Sequence, residues 1–209
     1  MLQTNTPVQS RLLRAGVLAL TVVAPLACGG KRVTRIEPTA VTDLSGRWND
    51  TDSRLVANEL IGSSLTEQWL PRYSATHAGE APVVIVGAFS NRTLEHIPVT
   101  TFVKDLERAF VNSGAVRVVA TADERLEVRD ERRDQQDNAR AETRARMAQE
   151  TGARYMLQGA IEAIEDQEGR EKIVFYQVDA TLVDLQSNEK VWTGQHKIKK
   201  YIERPRFRF

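Results

Sequence analysis

Apolar residues recur along this chain at spacings that change from segment to segment, and each change marks a predicted element. Between Thr51 and Leu70 they fall at Leu55, Val56, Leu60, Ile61, Leu65, Trp69 and Leu70. Steps of this size line one side of a helix, and Asn49, Asp50 or Thr51 stands where a cap is needed. After Pro82 the run VVIVGAF is continuously apolar, the mark of a central strand buried on both faces, and it ends at Asn91. PVTTFVKDLERAFVNSG then places Phe102, Val103, Leu106, Phe110 and Val111 at helical spacing. It stops at Gly114, a residue suited to a left-handed C-terminal position. AVRVVA at 115–120 predicts a short strand, so strand, helix and strand form a right-handed parallel crossover.

Thr121 and Glu124 form a capping box that opens a long helical run to about Glu150. That run holds seven arginines and nine acids but little apolar surface beyond Leu126 and Val128 early and Ala139, Ala145, Met147 and Ala148 late. Charge of both signs at this density reads as a solvated face, the other reading being a partner-docking helix. Tyr155–Ile164, Lys172–Leu185 and Lys190–Ile202 alternate with strand period, with Gly169 and Ser187-Asn188 at the turns, and predict an antiparallel meander. The fold expected is α/β. It is a single three-layer-like domain with a mixed sheet of about five strands, two in the parallel crossover and three in the meander, and about three helices.

The beginning of the chain breaks this pattern. Residues 1–14 are polar with Arg11 and Arg14, residues 15–26 read AGVLALTVVAPL, and Ala27, Cys28, Gly29 and Gly30 follow. An apolar run of about 12 residues is too short for a membrane span, which needs roughly 20, but suits a signal peptide. Residues 1–27 are therefore an export signal. The chain's one cysteine lies at the cleavage position, where the segment resembles the lipobox of bacterial lipoproteins, with Pro25 at the place usually held by leucine. The resemblance implies that Cys28 carries the lipid anchor, and Gly29 implies an outer-membrane destination facing the periplasm. Residues 28–45 are polar and aperiodic and read as a flexible tether of about 17 residues, reaching at most roughly 60 Å. The α/β domain then spans 46–203, and 204–209, RPRFRF, is a C-terminal tail.

Composition narrows the function classes. Removing Arg11 and Arg14 from 29 basic side chains leaves 27 against 28 acidic ones, a mature net charge of −1, so nothing argues for nucleic acid as a partner. His77, His96 and His196 lie far apart and in no ligand spacing, which predicts no metal. There is no GxSxG elbow, phosphate loop or dinucleotide fingerprint, so neither a catalytic residue nor a cofactor is expected. Asp50 and Asp52 could do acid and base work, yet they stand at a helix start, where carboxylates cap amides. The best candidate for binding is SNRTLEHIP, 90–98, which leaves the apolar strand at the edge where α/β sheets present binding residues. From it Asn91, Arg92, Thr93, Glu95 and His96 are the candidate partner-binding residues.

Three segments carry a resemblance: GRWNDTDSRLVANELI at 46–61, PVVIVGAFSNRTLEHIPVTTFVKDLERAFVNSG at 82–114, and VWTGQHKIKK at 191–200. Together they resemble the LpoB family across almost the whole mature chain. The resemblance implies a lipoprotein regulator, not an enzyme, that binds a bifunctional class A penicillin-binding protein and stimulates peptidoglycan synthesis from the outer-membrane side. It also implies a fold like the amino-terminal domain of TolB. The tether here is shorter than the long disordered arm of the enteric member. The alternative is an envelope lipoprotein of the same fold with a structural, assembly or secretion role, similar to the curli secretion lipoprotein.

Overall fold

A computed structural model describes residues 33–140, 142 and 150–204. The signal peptide, Cys28 and all of the tail but Arg204 lie outside the described residues. Residues 33–37 carry no regular structure, and the compact body begins at Pro38.

Helix α1, Asp50–Thr66, starts on a reciprocal cap. The Asn49 side chain accepts from the Asp52 backbone N–H at 3.1 Å, while the Asp52 carboxylate accepts from the Asn49 N–H at 2.9 Å, so two orphan amides are satisfied together. Asp52 is thus a cap, and the same carboxylate oxygen, Oδ2, also pairs with Lys200 Nζ at 2.6 Å. The predicted helix to Leu70 is broken after Thr66: a second helix, α2, runs from Trp69 to Thr76. The break lets the Trp69 indole donate to the Ser64 carbonyl at 2.6 Å, which at the end of α1 otherwise has only a long contact with the Glu67 N–H at 3.4 Å. The described residues therefore hold four helices.

Strand β1, Val83–Asn91, leads through a loop to α3, Val99–Ser113, which ends on Gly114 at φ 64°. Strand β2 is only Arg117–Val118, and α4, Ala122–Asn138, begins with the predicted Thr121–Glu124 capping box. A helix running on to Glu150 is excluded by one contact. Arg129 Nε lies 2.7 Å from Glu150 Oε1, whereas a continuous helix would set residues 129 and 150 about 30 Å apart. The structure ends α4 where Ala139 turns extended, φ −87° and ψ 156°; no α4 residue is buried, so no packing sustains a longer helix.

Strands β3, Tyr155–Glu168, β4, Glu171–Asp184, and β5, Lys190–Glu203, complete one mixed sheet of order β2-β1-β3-β4-β5. β1 pairs in parallel with β2 and β3, and β3 to β5 form the antiparallel meander. Helices α1 and α3 cover one sheet face, burying Val56, Leu60 and Ile61 with Phe102, Leu106 and Phe110 against Leu157, Ile161, Val178 and Leu182. β4 alternates strictly, every second residue from Val174 to Asp184 buried and the intervening ones only half so.

β1 departs from the expectation of burial on both faces, because Ala88 and Ser90 are exposed and only one face meets these helices. Its register shifts between Val86, opposite Leu157, and Phe89, opposite Gly159. The extra residue is a β-bulge, which re-aims the side chains beyond it. It turns Phe89 into the core, edge-on to Phe102 at 5.3 Å between ring centroids.

Candidate partner-binding surface

The loop leaving β1 has the same alternation as a strand without being one. Asn91, Thr93 and Glu95 are half-buried, whereas Arg92, Leu94 and His96 are exposed. The inward set holds the loop together. Asn91 Oδ1 accepts from the Thr93 backbone N–H at 2.9 Å and lies 2.8 Å from the Thr93 hydroxyl. Asn91 Nδ2 donates to the Glu95 carbonyl at 2.7 Å, and the Glu95 N–H donates to the Thr93 hydroxyl at 3.1 Å. Short polar side chains suit this work because they reach backbone groups two to four residues away.

Glu95 reaches further, into the body. Its Oε1 accepts from the Tyr176 phenol at 2.7 Å, and its Oε2 accepts from the Trp48 N–H at 3.2 Å. Tyr176 is fully buried on β4, and Trp48 packs edge-on against it and against Phe102. Burial first, and then the hydrogen bond to the Glu95 carboxylate, raises the Tyr176 phenol above its ordinary range. The carboxylate that the sequence offers as a binding group is therefore engaged on both oxygens in fastening the loop to the core.

What remains outward is a compact triplet. Arg92 sends its guanidinium to Glu162 on β3 at 3.1 Å, an exposed ion pair that adds little stability. Leu94 is 98% exposed, at the tip between Arg92 and His96. Sequence reasoning passed over Leu94 because it weighed polarity alone; an isolated leucine within SNRTLEHIP was the available signal. An apolar side chain carried on a loop already ordered by hydrogen bonds loses little backbone freedom on binding, which suits a protein contact.

A second concavity lies at the other end of the sheet, where Tyr155 rather than Ile161 is opposite β1. Its volume is about 920 Å³, and Trp69, Arg72, Tyr73, Arg154, Tyr155 and Trp192 line it. The Tyr73 ring stacks on His77 at 3.9 Å, and Arg154 meets the buried Asp184 at 2.7 Å. Burial would raise the Asp184 carboxyl, but the Gln186 N–H, Arg154 and the Ser187 N–H prevail and hold it low. This arrangement locks the β4–β5 turn. His77 follows α2, His96 lies in the loop between β1 and α3 and His196 is on β5, and no group of histidine, cysteine and acid suited to a metal occurs among the described residues. Among these residues, too, no helix is long and apolar enough to cross a membrane.

Residues 52–198 match the family model of the peptidoglycan-synthase activator LpoB. No curated protein matches the chain in sequence. Among solved structures, the C-terminal domain of LpoB from Escherichia coli is 16% identical, with 71% of this chain and 99% of that one covered and a TM-score of 0.44. The corresponding domain from Salmonella enterica is 18% identical over 71% and 99%, TM-score 0.40. The solution structure of E. coli LpoB is 14% identical over 97% and 96%, TM-score 0.42.

Proposed function

The chain belongs to the LpoB family of peptidoglycan-synthase activators, and from that premise we propose that it binds a bifunctional class A penicillin-binding protein and stimulates its synthesis of peptidoglycan without catalysing any bond change itself. The observation that carries the docking reading is the loop after β1, in which Asn91, Thr93 and Glu95 hold Arg92, Leu94 and His96 rigidly outward. A rigid protrusion offers one anchor for a hydrophobic recess with a cation and an imidazole beside it. An activator of this kind works by binding the active arrangement of its partner more tightly than the inactive one, so that contact alone shifts the population.

The same proposal places the protein in the periplasm. Cleavage after residue 27 leaves Cys28 as the lipid-bearing first residue on the outer membrane, and the short segment before the domain sets its reach. Its far end is anchored on the body, since Asp43 Oδ1 lies 2.7 Å from Lys200 Nζ and accepts from Asn49 Nδ2 at 2.7 Å. The test is glycan-strand polymerisation by the cognate synthase with and without the full-length protein. A rate increase that Leu94→Asp removes supports the reading. An unchanged rate together with no measurable binding overturns it.

A further inference from the structure

The end of the meander far from the aromatic cavity is polarised in charge, and strand alternation is the cause. Glu168, Glu171 and Glu203 are register partners across β3, β4 and β5. Their side chains therefore share one sheet face. The adjoining row, Gln167, Lys172 and Ile202, belongs to the other face. There it borders a cavity of about 310 Å³, whose rim also includes Arg47, Glu95, Arg170 and Arg204.

These cations are brought together by the fold rather than by chance side-chain reach. The Arg204 N–H donates to the Arg170 carbonyl at 3.1 Å, so the two backbones are joined at the hairpin turn. The loop bearing Arg47 is pinned by three contacts: Lys200 Nζ donates to the Arg47 carbonyl at 3.2 Å, the Trp48 N–H donates to Glu95, and Gly46 lies flat on Ile202. At Gly46, φ is +71° and a Cβ would fall 2.3 Å from Ile202 Cδ1, so only glycine lets the loop lie this close.

Glu168, Glu171 and Glu203 belong to the opposite face, and the two acids on the cavity's own face are already committed. Both Glu95 oxygens accept hydrogen bonds from the body, and Glu165 pairs with Lys172 at 2.8 Å. The guanidiniums of Arg47, Arg170 and Arg204 make no ion pair among the described residues. On the face that bears the cavity, the cations Arg47, Arg170, Lys172 and Arg204 stand against the carboxylates Glu95 and Glu165, a local excess of two positive charges. Like charges held this way repel, and an anion relieves the repulsion. A planar carboxylate fills one guanidinium fork, whereas the tetrahedral oxygens of a phosphate accept from several forks at once and match the excess charge.

We propose that the cavity between Arg47, Arg170, Lys172 and Arg204 is a binding site for a phosphate-bearing ligand. Two sources present that group, a soluble phosphate compound and the headgroup of an anionic lipid.

The experiment uses the full-length protein and arginine labelling by phenylglyoxal, read residue by residue by mass spectrometry. One arm adds sodium pyrophosphate to the protein in detergent micelles; the other compares bilayers of phosphatidylglycerol with bilayers of phosphatidylcholine. Arg117, exposed on β2, is the internal control. Saturable protection of Arg47, Arg170 and Arg204 by pyrophosphate, with Arg117 unaffected, supports a site open to soluble phosphates. Protection confined to phosphatidylglycerol bilayers supports a headgroup site. In the arm that protects, Arg170→Ala raises the ligand concentration for half-protection of Arg47 by about tenfold, the usual weight of one charge-assisted hydrogen-bonding partner. Labelling that neither arm changes, or that falls equally at Arg117, overturns the proposal.

Discussion

Replacing Glu95 by alanine tests whether this residue is a pin of the core or a free recognition group. Its carboxylate is the hydrogen-bond acceptor for the Tyr176 phenol at 2.7 Å and the Trp48 N–H at 3.2 Å. Tyr176 is fully buried and Trp48 half-buried, so the phenol is left without a partner inside the core and the Trp48 N–H is only partly open to water when the acceptor is deleted. A buried donor left unpaired costs about 1–3 kcal/mol, and the two together should lower the unfolding free energy by about 3 kcal/mol. With a urea dependence of about 2 kcal/mol per molar, the midpoint falls by about 1.5 M, readable from tryptophan fluorescence. Glu95→Gln keeps one neutral acceptor and should lose about 1 kcal/mol. A pH series supplies an independent check. The Tyr176 phenol is raised in the folded state, so its contribution is complete below about pH 10 and is lost as pH rises toward the folded value, at about 1.4 kcal/mol per unit. Tyr176→Phe removes that slope. A Glu95→Ala midpoint within about 0.2 M of the parent would refute the assignment of Glu95 to the core.

Three further outcomes follow from the same structure. Leu94→Asp should leave the unfolding free energy within about 0.5 kcal/mol of the parent, because the side chain touches nothing, yet abolish stimulation of the synthase in the polymerisation assay. Gly159→Ala should destabilise by about 3 kcal/mol in urea unfolding, since a Cβ there meets the Asp179 carbonyl at 2.2 Å and the Phe89 ring at 2.5 Å. Lys104, and then the Thr121 N–H, hold the Glu124 carboxyl at about 2. Its contribution is present above about pH 4.5 and lost as pH falls toward 2. Because the side chain is 44% exposed, solvent screening reduces the effect to about 1 kcal/mol, and thermal melts of Glu124→Gln should lose that part of the acid dependence.

Much of this architecture could be read from the residues themselves. The meander was legible because β4 and β5 alternate along most of their length and β3 over its first part, and the capping box at Thr121 was legible because it is local, closed within four residues, whereas the cap of α1 stayed open among Asn49, Asp50 and Thr51 until the structure chose Asn49. Periodicity and capping depend only on neighbours in sequence, so they survive without knowledge of the fold. The family resemblance is of the same kind, carried by ordered segments that the match over 52–198 contains or overlaps.

Tertiary structure decided the rest. The break between α1 and α2 goes with the Trp69 contact to the Ser64 carbonyl, and the end of α4 follows from its lack of any buried residue, which the return of Glu150 to Arg129 makes visible. The bulge that turns Phe89 inward depends on its pairing with Gly159, beyond two helices and a strand in the sequence. The candidate loop shows the division most plainly. Its polar residues were visible as one set, but only contacts with Tyr176 and Trp48, 81 and 47 residues distant, separate Glu95, which holds the loop, from Arg92 and His96, which face outward. Such contacts form when remote segments are packed into one core, and no local pattern encodes which carboxylate will be left facing water.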